Sequence, residues 1–478
     1  MSRTDKQYDV CVVGGGPAGS SAATFVAMRG HRVLLVEKES QPVYKVGESL
    51  LPSTVHGICS MLGVTEELEK QHFVRKLGGT FRWGKSKEPW SFTFADSARF
   101  QGSASYAYQV ERTKFDAILL NNARRKGVDL LEEHRVAELI VDNGRVSGVR
   151  LVDAAGAEKV VRSKYVVDAS GHGSTIARHA GERIFSKSFR NIAVFGYFLN
   201  AGRLPAPNSG NIFTAAFDKG WFWYIPLSDT LTSVGAVIGQ EYSSLLHQGL
   251  EAALFQLVES CEPIRKLLAE ATRCVDAPYN EIRARKDYSY CNTSFWKPGL
   301  VLIGDAACFV DPVFSSGVHL ATYSALLAAK SINSSLEKQI DEAAAFATFE
   351  VRYRREYRYF YDFLSAFYEL NQDLEGYYWA ARSAVNAEER RDHAFLNLVG
   401  GDASGEMAHN LQSSPASRVR QALLLFPNAA EASAERYDDI CGDTGEKGPI
   451  WNGHIAEESQ LPLAGGPAKF YPVEAASA

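Results

Sequence analysis

The sequence predicts an α/β fold with an α+β second part, and three observations carry that expectation. Between Tyr8 and Glu37 an apolar run, a glycine-rich turn, a stretch of small residues, a second apolar run and an acid follow one another. Short apolar runs that end in turns return at Lys164 to Gly171 and at Gly299 to Pro312. Between Asn191 and Gly239 four strand-like runs succeed each other with turn residues between them, the pattern of an antiparallel sheet. Together they predict a Rossmann-like dinucleotide-binding domain, discontinuous in the chain and interleaved with an antiparallel-sheet domain, followed by a helical C-terminal region.

The first unit is the most explicit. Val10 to Val13 reads as a buried strand and enters the turn Gly14-Gly15-Gly16-Pro17-Ala18-Gly19. Small residues then continue as a helix to about Met28, and the second strand, Val33 to Val36, ends at Glu37-Lys38. Gly14 permits the tight turn, Gly16 lets backbone approach a pyrophosphate, and Gly19 lets the helix pack close to the sheet. The helix opening at Pro17-Ala18 offers unpaired N–H groups to phosphate charge, and Glu37 can accept from a ribose diol. A bare glycine turn would mean little; strands, helix and acid together favour the dinucleotide reading.

Short helices are expected around Thr54 to Leu62 and Glu66 to His72, then strands in Leu77 to Gly84 and Trp90 to Phe94. Tyr106 to Leu131 reads as strand, helix, strand, with Arg112 opening the helix. Val136 to Val141, Val146 to Val152 and Lys159 to Arg162 read as a β-meander, and Lys164 to Gly171 as a separate buried strand. Helices are expected around Leu245 to Ala269 and from Ser315 to Leu336. From Asp341 to Leu370, Phe346, Phe349, Tyr353, Tyr357, Phe360, Phe363 and Phe367 recur at helical spacing, which reads as a core-facing stripe. More helix is expected to about Leu425, then an irregular tail.

The expected domains are 1–78, 106–184 and 291–336 for the cofactor, 79–105 and 185–290 for the antiparallel sheet, 337–441 for the helical region and 442–478 for the tail.

A net charge of -5 gives no support to nucleic-acid binding. No signal peptide or membrane-spanning apolar stretch is visible, and the seven cysteines lack metal-ligand spacing, so a cytoplasmic protein with free thiols and no metal is expected.

The combination of GGGPAG, Arg112 in VERTKFD, VVDASG around Asp168 and LIGDAA around Gly304-Asp305 resembles the p-hydroxybenzoate-hydroxylase-like flavoproteins, over roughly residues 8 to 335. The resemblance implies FAD, with Arg112, Asp168, Gly304 and Asp305 among the groups that hold it. Gly220 to Pro226 contains WxWxIP, and Phe309 to Gly317 reads FVDPVFSSG; both resemble the flavin-dependent halogenases of natural-product biosynthesis. Two departures count against a hydroxylase: Ser315-Ser316-Gly317 replaces GxGxN, and Asp168-Ala169 replaces Asp-Gly.

A halogenase of this kind would take FADH2 from a separate flavin reductase, use O2 and chloride or bromide to form hypohalous acid, and pass it through a lysine to an electron-rich ring. Pro312, Ser316 and Gly317 match its flavin-edge and halide turn, where successive amides make an anion nest or, alternatively, a simple helix cap. Gly47-Glu48-Ser49 matches the flavin-lining loop. Lys76, followed by Leu77-Gly78-Gly79, is the favoured lysine and Lys45 the reserve; an exposed salt-bridging lysine is the ordinary alternative for either, and burial decides. Trp221 and Trp223 would screen flavin from substrate, or be core aromatics sharing one strand face.

Tryptophan halogenases carry an acid where this chain has Phe314. The pattern instead resembles the phenol and pyrrole type of polyketide and nonribosomal peptide pathways, the chondrochloren type in particular. A phenolic, tyrosine-derived substrate, free or on a carrier protein, is therefore expected, with chloride as the favoured halide. The rivals are an aromatic monooxygenase or geranylgeranyl-reductase-like enzyme on the same scaffold, and a flavin-binding protein without turnover.

Overall fold

A computed structural model describes residues 7–40, 43–83, 88–97, 100, 102–369 and 400–401. The helices expected beyond Leu370 and the tail lie outside these residues. The chain opens with β1 (Tyr8–Val13), α1 (Pro17–Ala27) and β2 (Val33–Val36). After a π-helical stretch (Ser53–Cys59) come α2 (Ser60–Leu62), α3 (Thr65–Lys70), β3 (Val74–Lys76), β4 (Gly78–Arg82) and β5 (Trp90–Thr93). Next are β6 (Ala107–Gln109), α4 (Arg112–Arg125), β7 (Asp129–Leu131), β8 (His134–Asp142), β9 (Arg145–Asp153) and β10 (Glu158–Asp168). Then follow β11 (Arg183–Leu199), β12 (Ile212–Phe217), β13 (Gly220–Pro226), β14 (Leu231–Gly239), α5 (Leu250–Glu259), α6 (Glu262–Leu267) and β15 (Thr272–Arg273). The described chain closes with β16 (Arg283–Asn292), β17 (Trp296–Lys297), β18 (Leu300–Leu302), β19 (Cys308–Phe309), α7 (Ser316–Leu336) and α8 (Glu342–Glu369).

Two large sheets organise these elements. In the first, β18, β10, β1, β2 and β7 run parallel, and β10 also pairs antiparallel with β9, itself joined to β8. Strands buried on both faces read as unbroken apolar runs, which is why VCVV, VLLV and LVL needed no alternation to form. The second sheet runs β19-β16-β11-β14-β13-β12-β4-β5, antiparallel except where β12 lies parallel to β4. Helices α5 and α6 cover one face of it: Leu254, Leu257 and Ile264 pack with Phe222, Tyr224 and Ile238. The other face joins the main core.

Four expectations are corrected here. Lys159 to Arg162 and Lys164 to Gly171 are one strand, β10, whose first half pairs with β9 and whose second half enters the parallel sheet. The helix expected at Thr54 to Leu62 is π-helical for most of its length. Before α5 the chain makes a 3-10 stretch, Gln240–Gln248, with no buried residue. Strand β16 was not foreseen, because its charged run RARKD hides the pairing with β11. It crosses the boundary drawn at 290, and β19, from the segment assigned to the cofactor, pairs with it at Tyr290↔Phe309.

The aromatic stripe of α8 faces inward. Phe346, Phe349, Tyr353, Tyr357, Phe360 and Phe367 are buried, as a helical period of 3.6 requires. Among the described residues no helix is long and apolar enough to cross a membrane.

Candidate active site

The glycine turn has the shape that its residues predict. Gly14 sits at φ +105°, and a Cβ there would lie 2.5 Å from the Ala169 carbonyl oxygen. A Cβ on Gly19 would fall 1.9 Å from the Gly14 oxygen, so only glycine lets α1 pack this close. A Cβ on Gly16 would meet nothing within 4 Å, so bareness here serves no internal contact and leaves a cradle for a ligand. Pro17 and Ala18 open α1, and no side chain caps it. Glu37 lies across the turn, accepting from the Gly15 N–H at 2.5 Å and from the Lys38 N–H at 2.8 Å. The Lys38 ammonium itself points to Glu39.

A second group of residues lies around the turn after β18, at the same carboxyl end of the parallel sheet as the glycine turn. Arg112 forms a fork with Asp116 (2.8 and 2.9 Å) and donates to the Val46 carbonyl at 2.8 Å. Burial opposes its charge, but Asp116, Glu48 and Asp305 outweigh that and raise its pKa. Arg112 is thus the strut that holds the Gly47-Glu48-Ser49 loop, with Gly47 at φ +105°. Burial pushes Asp305 up to about 6 against the pull of Arg112 and two other arginines. A Cβ on Gly304 would lie 3.2 Å from the Ala18 Cβ, so this turn packs close against α1. Burial likewise raises Asp168, which accepts from Ser170 and Ser174.

Two buried polar atoms beside this loop, Ser49 Oγ and Gln109 Oε1, have no partner among the described residues. Ser49 and Gln109 are bridged residues on neighbouring segments. A bare cradle at Gly16, an acid at the second strand end and orphaned acceptors near Arg112 are what an elongated dinucleotide needs along its length. These residues therefore fit FAD. Gln109 escaped the sequence reading; its place three residues before Arg112, in the strand feeding that helix, was the available signal.

The two lysines differ sharply. Lys76, on the short β3–β6 ladder, is 3% exposed and donates to the Leu50 carbonyl at 3.0 Å. Desolvation pulls its ammonium down to about 7. Asn211 Oδ1 fixes the residues after it by accepting from Leu77 N and Gly78 N at 3.1 and 2.9 Å. Glycine follows because a Cβ on Gly78 would fall 1.8 Å from the Phe92 carbonyl oxygen. Lys45 is half-buried in its loop; burial, Lys38 and Arg285 lower its pKa.

Trp221 and Trp223 are both buried on the face of β13 that meets the main core, their ring centroids 6.3 Å apart. The segment Asp311 to Gly317 forms a 3-10 turn at Pro312–Phe314, then Ser315 in the left-handed region (φ +59°) and the start of α7. No side chain caps α7 there, which leaves its first amides open. Ser316 is buried and Gly317 has open space where a side chain would be. Phe314 packs edge-on against Phe367 at 4.9 Å, an apolar site where an acid would have no partner in that ring pair.

One buried chain was absent from the sequence reading. His319, in the first turn of α7, meets Ser53 Oγ through Nδ1 at 3.0 Å and Glu356 Oε1 through Nε2 at 2.9 Å. Helix register alone could not pair α8 with a π-helical segment 300 residues away. Glu356→Ala would leave an imidazole nitrogen unpaired in the core, so an equilibrium unfolding experiment is expected to show a loss of about 1–3 kcal/mol.

A discontinuous dinucleotide fold joined to an antiparallel second sheet, with residues that fit FAD, is the architecture of a flavoprotein. The chain belongs to the tryptophan halogenase family, whose sequence pattern matches residues 9–104 and 95–413. It is 37% identical over 392 residues to a tryptophan 2-halogenase of Chondromyces crocatus, covering 79% of this chain and 71% of that one. It is 30% identical over 401 residues to a 1H-pyrrole-2-carbonyl-[peptidyl-carrier protein] chlorinase of Pseudomonas fluorescens, covering 77% and 85%. Among solved structures, the myxobacterial chondrochloren halogenase is 54% identical, with a TM-score of 0.75 over 83% of this chain and 91% of that one. The protein is a flavin-dependent halogenase that uses FADH2, halide and O2, and enzymes of this family take reduced flavin from a separate reductase.

Proposed function

We propose that this halogenase chlorinates a phenolic, tyrosine-derived ring, free or held on a carrier protein, with Lys76 relaying the oxidised halogen. The observation that carries the reading is the burial of Lys76. An amine pulled down to about 7 is in large part neutral near neutral pH, so it has a lone pair to offer an electrophile. Lys45, half-buried, is the poorer candidate.

When bound, reduced FAD supplies the electrons with which O2 oxidises the halide: FADH2, O2, halide and a proton give FAD, hypohalous acid and water. The chain's own groups do the rest. Gly14, Gly16, Pro17, Ala18 and Gly19 would hold the pyrophosphate, and Glu37, with Lys38 beside it, would hold the ribose. Gly47, Glu48, Ser49, Arg112, Asp168, Gly304, Asp305 and Pro312 would hold the remainder. The open amides of Ser316 and Gly317 bind halide without a basic side chain. A phenolate is already activated for electrophilic attack, which suits a site with Phe314 in place of an acid. The pyrrole chlorinase, at 30% identity, supports a carrier-bound route and chloride. The tryptophan 2-halogenase favours a second reading, an indole substrate.

The test is turnover with FAD, a flavin reductase, NADH, O2 and chloride on free tyrosine, carrier-bound tyrosine and free tryptophan. A chloride-dependent mass shift on a tyrosine is expected. Product only from tryptophan would replace the phenol by the indole, and oxygen addition without halide dependence would overturn the reading.

A further inference from the structure

The two tryptophans of the WxWxIP strand carry more than bulk. Trp221 Nε1 donates to Tyr368 Oη at 2.6 Å, and Tyr368 donates to Asp311 Oδ2 at 2.9 Å. Trp223 Nε1 donates to Ser233 Oγ at 3.1 Å, and Ser233 donates to Glu48 Oε2 at 3.2 Å. The two chains share one grammar: an indole N–H, a hydroxyl that accepts and then donates, and a buried carboxylate. Asp311 and Glu48 are 1% and 2% exposed.

The carboxylates end in different loops, and each is pinned by further donors. Asp311 Oδ1 accepts from the Val313 N–H at 3.0 Å, and Oδ2 accepts from Asn191 at 3.2 Å. It therefore sets the turn that leads through Ser315 into Ser316-Gly317. Glu48 also accepts from Tyr197, and its own peptide lies in the loop that Arg112 braces through Val46 and Gly47. Since Trp221 and Trp223 are two residues apart, β13 holds both donors on one face at a fixed spacing. Phe222 and Tyr224, on the other face, pack with α5 and α6 and take no part. Phenylalanine would fill much of the same space, but it has no N–H to donate.

We propose that Trp221 and Trp223 are positioning residues that hold the halide-side turn and the flavin-side loop in one frame, each through a hydroxyl to a buried carboxylate. The inference rests on the proposed function for the roles of the two loops. It differs from a screening role in a way that leaves the tryptophans untouched. Removing the hydroxyl cuts each chain and keeps both indoles.

Tyr368→Phe and Ser233→Ala are the variants. Tyr368→Phe is expected to raise the apparent KM for chloride about tenfold, with FAD affinity within twofold of the parent. Ser233→Ala is expected to weaken FAD binding about tenfold, read by flavin fluorescence without turnover, and to leave the chloride KM within twofold. In both, less chlorinated product forms per NADH consumed and hydrogen peroxide rises in proportion. Thermal midpoints within a few degrees of the parent establish that each variant is folded. Parental values of chloride KM and FAD affinity in both variants would overturn the proposal and leave bulk as the tryptophans' role. So would a parallel fall of every parameter together with the midpoint. A parent that makes no chlorinated product defeats the proposed chlorinating function instead, and the Ser233→Ala binding measurement still decides its own chain.

Discussion

Lys76→Met is expected to remove halogenated product, by about 10³-fold or more, while making the folded protein more stable. Both halves follow from burial. The side chain is 3% exposed and desolvation brings its pKa from 10.5 to about 7. An unfolded chain keeps the ordinary value, so between pH 7 and 10.5 the unfolded state binds one more proton than the native state. Stability therefore rises with pH across that window, by about 1.4 kcal/mol per unit from this group alone. Below pH 7 the lysine is protonated in both states and its full desolvation penalty stands. Methionine fills a similar volume with no charge to desolvate.

Thermal melts at pH 6.5 and 9 check the linkage. Lys76→Met should melt higher than the parent at 6.5, and the gap should narrow at 9. FAD affinity should stay within twofold, because among the described residues the ammonium donates to the Leu50 carbonyl alone. Parent turnover should rise with pH through about 7 and then level off, as the amine loses its proton. If Lys76→Met keeps full activity while Lys45→Ala loses it, the relay belongs to the half-buried loop lysine and the burial argument fails.

The parts of this molecule that could be read beforehand are those with a local rule. Val10 to Val13, the glycine turn and Glu37 follow spacing constraints within thirty residues, and each stands where expected. The stripe on α8 follows a period of 3.6, and its described members are buried. Phe363 belongs to the same run, but its side chain lies outside the described residues. What could not be read depends on pairs far apart in the chain. The neighbours Leu77-Gly78-Gly79 favour Lys76 over Lys45, yet the group it donates to is a backbone carbonyl, which no residue type announces. Trp221 and Trp223 could be placed on one face, whereas their acceptors, Tyr368 and Ser233, follow no motif. The charged run Arg283 to Asp287 of β16 carries no apolar alternation to read, and its register is set by pairing with β11. Long-range hydrogen bonding, not local propensity, holds most of what the sequence left open.

Gly16→Val and Gly19→Ala should separate ligand binding from folding at the opening turn. The two glycines stand three residues apart in one motif, but a Cβ on them meets opposite surroundings. On Gly19 it would lie 1.9 Å from the Gly14 oxygen, a backbone atom that cannot give way without moving β1. Overpacking of that kind costs about 1–3 kcal/mol, so Gly19→Ala should lower the melting point of flavin-free protein by several degrees. On Gly16 the nearest 4 Å are empty, and its φ of -71° is one that valine can adopt. Gly16→Val should therefore melt near the parent without flavin. Its branched side chain would occupy the space where a pyrophosphate meets the α1 amides, and FAD affinity should fall about 100-fold, equivalent to about 2.8 kcal/mol. Added FAD should then raise the parent's melting point and leave that of Gly16→Val almost unmoved. An equal drop in flavin-free stability for both variants would mean that Gly16 is bare for a packing reason, and the cradle would have to be sought elsewhere on the sheet edge.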